Sequence, residues 1–179
     1  MKTKILLTSF QTWLTHQQSN SSDDLLVEIQ KSDCCADVSL FFLRNLPVDT
    51  ELASQKVIDE IKIIQPNVII CCGMAEKRTK LTIESNAVCQ DECLHTSIDL
   101  TELTDRLIIT EISHDAGKFV CEGLYYQVLK YIQSKDRNIH CIFVHVPLLK
   151  PDRLGLILQD FHSILFLFVD KLISSTKNK

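Results

Sequence analysis

The stretch Thr50–Gly73, TELASQKVIDEIKIIQPNVIICCG, decides the fold. Leu52, Val57, Ile61 and Ile64 recur at helical spacing and predict a helix from Thr50 to Ile64 with one apolar face. Pro66 stops that helix, because proline has no N–H for the ladder. Asn67 to Cys72 is a β-branched run that reads as a buried strand, closed by Gly73. A helix feeding directly into a buried strand is the unit from which parallel sheets are built.

Working outward, the same alternation continues on both sides. Upstream, Lys4 to Ser9 and Ala36 to Leu43 read as strands. Between them lie a polar loop, Thr15 to Asp24, and a short helix, Asp24 to Lys31, capped by Ser22 or Asp23. Downstream, Leu81 to Cys89 and Leu107 to Ser113 are strand candidates. Asp115-Ala116-Gly117 forms a turn before a helix from Lys118 to Gln133. A strand from Ile139 to Val146 is closed by Pro147, and a last helix covers Asp152 to Ile173, with a frayed tail after Ser174. The pattern predicts a three-layer α/β/α sandwich around a mostly parallel, mixed twisted sheet. It spans 1–179 as one domain, with no separate second domain.

Composition narrows the function classes. Of 179 residues, 45% are hydrophobic and 23% charged, the balance of a globular chain rather than a disordered one. A net charge of -4 opposes a general nucleic-acid binder, so no nucleic-acid partner is expected. The richest apolar segment, Ile157 to Ile173, carries Asp160 and Asp170, so no membrane span is expected. The start MKTKILLTSF is too short in apolar residues for a secretory leader. Cys34-Cys35 and Cys71-Cys72 are vicinal pairs, which rarely close into disulfides. The eight cysteines therefore read as mostly core thiols in a reducing, cytoplasmic setting.

Among those thiols one stands where chemistry is expected. Ligands of open α/β sheets bind beyond the carboxyl ends of strands. Cys121 falls in the first helical turn after the Gly117 loop, where free backbone N–H groups favour a thiolate and an oxyanion. His145 ends a strand and would be its base, with Glu84 as the orienting acid. Taken singly, each has a plainer reading: a buried helix cysteine, a hydrogen-bonded strand-end histidine, a solvent-facing glutamate. His114 is a rival base by its nearness in sequence.

Four strings then carry a resemblance. They are KILLTSFQTW (4–13), IKIIQPNVIICCGMAEKRTKLTIESNAV (61–88), ISHDAGKFVCEGLYYQVLKYI (112–132) and IFVHVPLL (142–149). In this order they resemble the pyroglutamyl peptidase I family of cysteine peptidases. The resemblance implies an exopeptidase that removes an N-terminal pyroglutamyl residue through a Cys-His-Glu triad and a thioester, with no metal or organic cofactor. It places the nucleophile on Cys121, the base on His145 and the acid on Glu84. Its substrate pocket falls on Phe10, Trp13, Met74, Phe119 and Val120. Glu76-Lys77-Arg78 reads as a solvated loop, with bracing of the site by Arg78, which matches the family's loop arginine, as the alternative. The implied partner is a small peptide with a blocked N-terminus, and the implied assembly a homodimer or homotetramer.

The chain also departs from the family pattern. Met74 stands where the family has glutamine, Ser85 and Leu94 where it has arginines, and Glu122 where it has asparagine. Glu122 would place a negative charge beside the thiolate and raise the thiol pKa. The segment from Leu94 to Ile112 is short. A second reading is therefore a diverged member with weak or no pyroglutamyl turnover, acting as a binding protein or on another amide. A third is a metal module on Cys89, Cys93 and His95, set against Cys89 as a core strand residue and the other two as loop.

Overall fold

The computed structural model describes residues 2–32, 38–135 and 139–177, with the side chains beyond residue 169 left aside. The vicinal pair Cys34-Cys35 lies outside the described residues. The elements in chain order are β1 (Thr3–Phe10), α1 (Ser21–Lys31), β2 (Val38–Leu46), α2 (Thr50–Ile64), β3 (Val68–Met74) and β4 (Leu81–Glu84). There follow β5 (Asn86–Cys89), β6 (Glu92–His95), α3 (Leu100–Thr104), β7 (Thr110–Ser113), α4 (Val120–Ser134), β8 (His140–Val146) and α5 (Pro151–Lys177).

Among the described residues, six strands form one sheet in the order β2-β1-β3-β8-β4-β7. The strands β2, β1, β3 and β8 run parallel; β4 pairs antiparallel with β8 and parallel with β7. Helices α1 and α5 cover one face through Leu25, Ile29, Phe161 and Ile164, over Ile5, Ile70 and Val144. Helices α2 and α4 cover the other through Val57, Ile61, Leu124 and Val128, over Leu6, Ile69 and Phe143. The architecture is the mostly parallel, mixed α/β/α sandwich expected. Its central strands are apolar on both faces because both are covered.

Several boundaries differ from the sequence reading, each for a local reason. Helix α1 starts at Ser21, because Asn20 caps it through the Ser22 N–H at 3.0 Å. Asp23 is drawn instead to Arg44 and Ser9. The span 81–89 is two strands in two sheets. At the break, the Ser85 N–H bonds the Ser113 carbonyl, while Asn86–Cys89 folds back as a hairpin on β6. Residues 107–109 are outside β7 because the Ile108 and Ile109 N–H groups donate to Asp160, both at 2.8 Å. Helix α4 begins two residues later than expected, since Gly117, at φ 91°, and Asp115 keep the chain in a turn. Helix α5 continues through Lys177 rather than fraying after Ser174. On α2, Leu52 is 58% exposed, and Ala53 takes its place in the apolar face. The shortened segment before β7 holds the single short helix α3, capped by Asp99.

Candidate active site

The parallel strands β1, β3 and β8 end side by side, and a cavity of about 600 Å³ opens beyond their carboxyl ends. Both Cys121 and His145 line it. The strand register sets this: Gly73 of β3 lies directly opposite His145 of β8. The first turn of α4 then lowers Cys121 onto Gly73. A Cβ at that glycine would stand 2.7 Å from Cys121 Sγ, so only glycine admits the thiol there. The N-terminus of α4 has no side-chain cap, and its first residues, Val120 and Cys121, line the cavity.

Glu84 sits behind the histidine rather than in the cavity. It ends β4, opposite Phe143, and its side chain is fully buried. His145 Nδ1 lies 2.7 Å from Glu84 Oε1, and the His145 ring packs on Phe143 at 4.9 Å between centroids. The sheet therefore brings together two residues that are far apart in sequence. The cysteine shares the cavity wall with His145 without a hydrogen bond between them.

Arg78 completes this cluster. It donates to Glu84 Oε1 at 2.5 Å, to the Thr82 hydroxyl, to Ser113 Oγ at 3.3 Å and to the Asp115 carbonyl at 2.9 Å. Burial alone pushes the Glu84 carboxyl up. The hydrogen bond from His145, with Ser113 and Arg78 adding, outweighs burial and holds it below the ordinary carboxylate range. The Cys121 thiol is pushed up to about 12 by burial first, then by the charge of Glu84 and by Cys71, against a smaller opposing effect of Arg78. Glu122 plays no part in this. Its carboxylate turns away to accept the Val88 N–H at 3.2 Å, so the sequence expectation for Glu122 is corrected.

The five pocket residues singled out in the sequence all line the cavity: Phe10, Trp13, Met74, Phe119 and Val120. Phe10 is buried in the floor, whereas Trp13 and Phe119 are 54% and 70% exposed and face each other at the mouth, 5.9 Å between rings. Met74 Sδ sits 3.4 Å from the Ser21 N–H at the start of α1.

Sequence reasoning missed the latch behind Trp13. Gln17 accepts the Trp13 and Leu14 N–H groups through Oε1 and donates to Glu76 Oε1 at 2.6 Å. His16 joins the same carboxylate at 3.2 Å. The latch ties the mouth loop to the β3–β4 loop, and its partners lie some sixty residues apart, beyond any local pattern. His114 bonds Ser85 Oγ and does not line the cavity. Cys93 and His95 stand on β6 with 3.6 Å between sulfur and Nε2. Cys89 is exposed on β5, not core, and belongs to the hairpin. Among the described residues, no group of three metal-ligating side chains forms, and no helix is long and apolar enough to cross a membrane.

With this geometry in hand, the chain was compared with known proteins. A pyroglutamyl peptidase family model matches residues 99–160, a span that includes Cys121 and His145. The pyrrolidone-carboxylate peptidase of Thermoanaerobacter sp. (strain X514) is 27% identical over 172 residues, covering 82% of this chain and 83% of that one. The Brachyspira hyodysenteriae protein of the same name is 24% identical over 170 residues, covering 80% and 83%. Among solved structures, the pyrrolidone carboxyl peptidase from Thermococcus litoralis superposes with a TM-score of 0.83 at 18% identity, covering 98% of this chain and 96% of that one. Bacillus amyloliquefaciens pyroglutamyl peptidase I gives 0.79 at 21% identity, covering 91% and 95%. In sequence the chain is similar to pyrrolidone-carboxylate peptidases, and in fold it is similar to pyroglutamyl peptidases.

Proposed function

We propose that this chain is a cysteine peptidase that removes an N-terminal pyroglutamyl residue from small peptides, with Cys121 as nucleophile, His145 as base and Glu84 as the acid behind it. One observation carries the reading. A thiol fitted over Gly73 and a histidine held by a buried carboxylate share one cavity with an aromatic mouth. The relatives named above carry the activity in their names.

The chemistry follows from the placement. The thiol is neutral at rest, since burial disfavours its anion. His145 Nε2 therefore takes the proton as Sγ attacks the acyl carbon. The uncapped first turn of α4 would supply its amides to the oxygen that gains charge. Nε2 then returns the proton to the leaving peptide amine, and a thioester remains. Water, deprotonated by the same nitrogen, hydrolyses it and regenerates the thiol. Phe10, Trp13, Met74, Phe119 and Val120 would hold the acyl ring, with flat faces from the aromatics.

A nucleophilic thiol works only unoxidised, which supports a cytoplasmic location. Apolar side chains exposed on α5, Leu156 and Phe166, support self-association as a dimer or tetramer. The net charge of -4 supports a reading without nucleic-acid partners, and a sheet covered by helices on both faces supports a single α/β unit.

Met74 favours a second reading within the same site. A thioether offers no amide N–H or carbonyl to a lactam, so a different acyl amide is the alternative substrate. Dye release from pyroglutamyl aminomethylcoumarin tests the first reading. Wild type releases dye and Cys121→Ser does not. Release from other acyl amides but none from pyroglutamyl would move the assignment to the second.

A further inference from the structure

A neutral histidine beside a buried carboxylate takes one of two forms, which differ by one proton taken up from solvent. The carboxylate can stay ionised and accept from Nδ1–H, which leaves a lone pair on Nε2. Alternatively, the acid takes up a proton from solvent and donates it to Nδ1, while the ring keeps its own proton on Nε2. Only the first form can accept a proton from Cys121. The His145–Glu84 contact of 2.7 Å fits both forms, so something else must choose between them.

Arg78 makes the choice. A guanidinium only donates, so Glu84 Oε1, 2.5 Å from Arg78, must accept. That same oxygen faces His145 Nδ1. The other oxygen, Oε2, is buried with no hydrogen-bond partner among the described residues, so a proton placed there would have no acceptor. The guanidinium cannot swing aside, because Ser113 Oγ and the Asp115 carbonyl hold its second nitrogen. Around this pair the titratable groups are His145 from β8, Cys121 and Tyr125 from α4, and Cys71 from β3. Tyr125 donates to the backbone carbonyl of Glu84 and not to its carboxylate. Arg78 is thus the one arginine or lysine bonded to Glu84 among the described residues.

We infer that Arg78 is a positioning residue that locks Glu84 as a proton acceptor and thereby holds His145 in its Nδ1–H tautomer, with Nε2 open toward Cys121. The same guanidinium grips the turn that delivers Cys121, through the Asp115 carbonyl. The role of the tautomer in turnover rests on the peptidase reading proposed above; the tautomer itself does not.

Long-range ¹H–¹⁵N spectra of the full chain report the tautomer, with the His145 signals identified by their loss in His145→Asn. Wild type is expected to show Nδ1–H, and Arg78→Gln to shift to Nε2–H. In the same variant, kcat on the pyroglutamyl dye falls about 100-fold while KM moves less than about threefold. Arg78→Lys, which keeps the charge, retains the Nδ1–H form and recovers part of kcat. An Nε2–H spectrum in wild type overturns the inference, as does a folded Arg78→Gln that keeps Nδ1–H. If Arg78→Gln does not fold, loss of the Nδ1–H form in Arg78→Lys overturns it and retention sustains it. Wild type without dye release would sink the proposed substrate while leaving the spectra to judge Arg78.

Discussion

Cys121 rests on Gly73 so closely that a single added methyl would stand 2.7 Å from its sulfur and 2.9 Å from Phe143 Cζ. Phe143 is fully buried and packs against the His145 ring, so it cannot give way freely. The thiol is the part that must rotate. Gly73→Ala is expected to lower kcat about 100-fold, the order of loss when a reacting atom is displaced by about an ångström. KM changes little, because the acyl pocket stays in place, whereas the thermal midpoint falls, because the clash with buried Phe143 remains after the thiol has rotated. Steady-state dye release and thermal unfolding check both halves; unchanged kcat would show that the close contact has no catalytic meaning.

That contact also shows what a sequence can and cannot carry. The helix Thr50–Ile64 is legible because its period and Pro66 are both local; the sequence reading does not include the Asp49 cap that starts it. The buried strand before Gly73 is legible for the same reason. Cys121, His145 and Glu84 could be picked out by type and by motif. Their geometry could not, since it rests on the pairing of β3, β8 and β4, elements joined by long connections. The break at Ser85 was hidden because apolar residues continue on both sides of it; a backbone bond to Ser113 makes the break. Leu52 fits the helical period and still points to solvent, because the apolar face turns toward Ala53 and Val57. The Gln17–Glu76 latch and the Arg78 fork join segments that no periodicity relates.

Glu84 makes stability depend on pH in a stated direction. The folded chain holds this carboxyl below its ordinary value, so on acidification the unfolded chain takes up the proton first. The stabilisation is complete above the unfolded value of about 4.3 and is lost as pH falls through the folded value. Glu84→Gln removes it at every pH and is expected to cost about 2 kcal/mol at pH 7, because the hydrogen bonds of Arg78 and His145 lose their charged acceptor. Urea unfolding of both proteins between pH 7 and pH 3 checks this. The gap between them should narrow below about pH 4; a constant gap would mean that Glu84 carries no linked proton.

Trp13 is the chain's only tryptophan and stands half-exposed against Phe119 at the cavity mouth. An acyl ring entering between floor and mouth covers the indole. Saturating pyroglutamate is therefore expected to shift the tryptophan emission to the blue. Phe119→Ala removes the facing ring, weakens that response and lowers kcat/KM about tenfold, the scale of one aromatic pair in a desolvated site. The fold should be unaffected, since Phe119 is 70% exposed. Emission that ignores the ligand would place the acyl group elsewhere in the cavity.

Met74 lines the cavity in which the acyl group would be read. Its position is fixed twice over: the backbone is paired with Val146 in β3–β8, and the sulfur meets the Ser21 N–H. A glutamine there has nearly the same length. Its carbonyl can take over the Ser21 N–H as a better acceptor than a thioether, which leaves the amide N–H₂ free to face the lactam carbonyl. Met74→Gln is thus expected to raise kcat/KM for pyroglutamyl substrates about tenfold, the value of about one well-made hydrogen bond. The same change should reduce turnover of a purely apolar acyl amide, because it places an unpaired amide in the pocket. Parallel kinetics on the two substrates separate these effects. A variant that gains on both, or on neither, would show that residue 74 does not contact the acyl group.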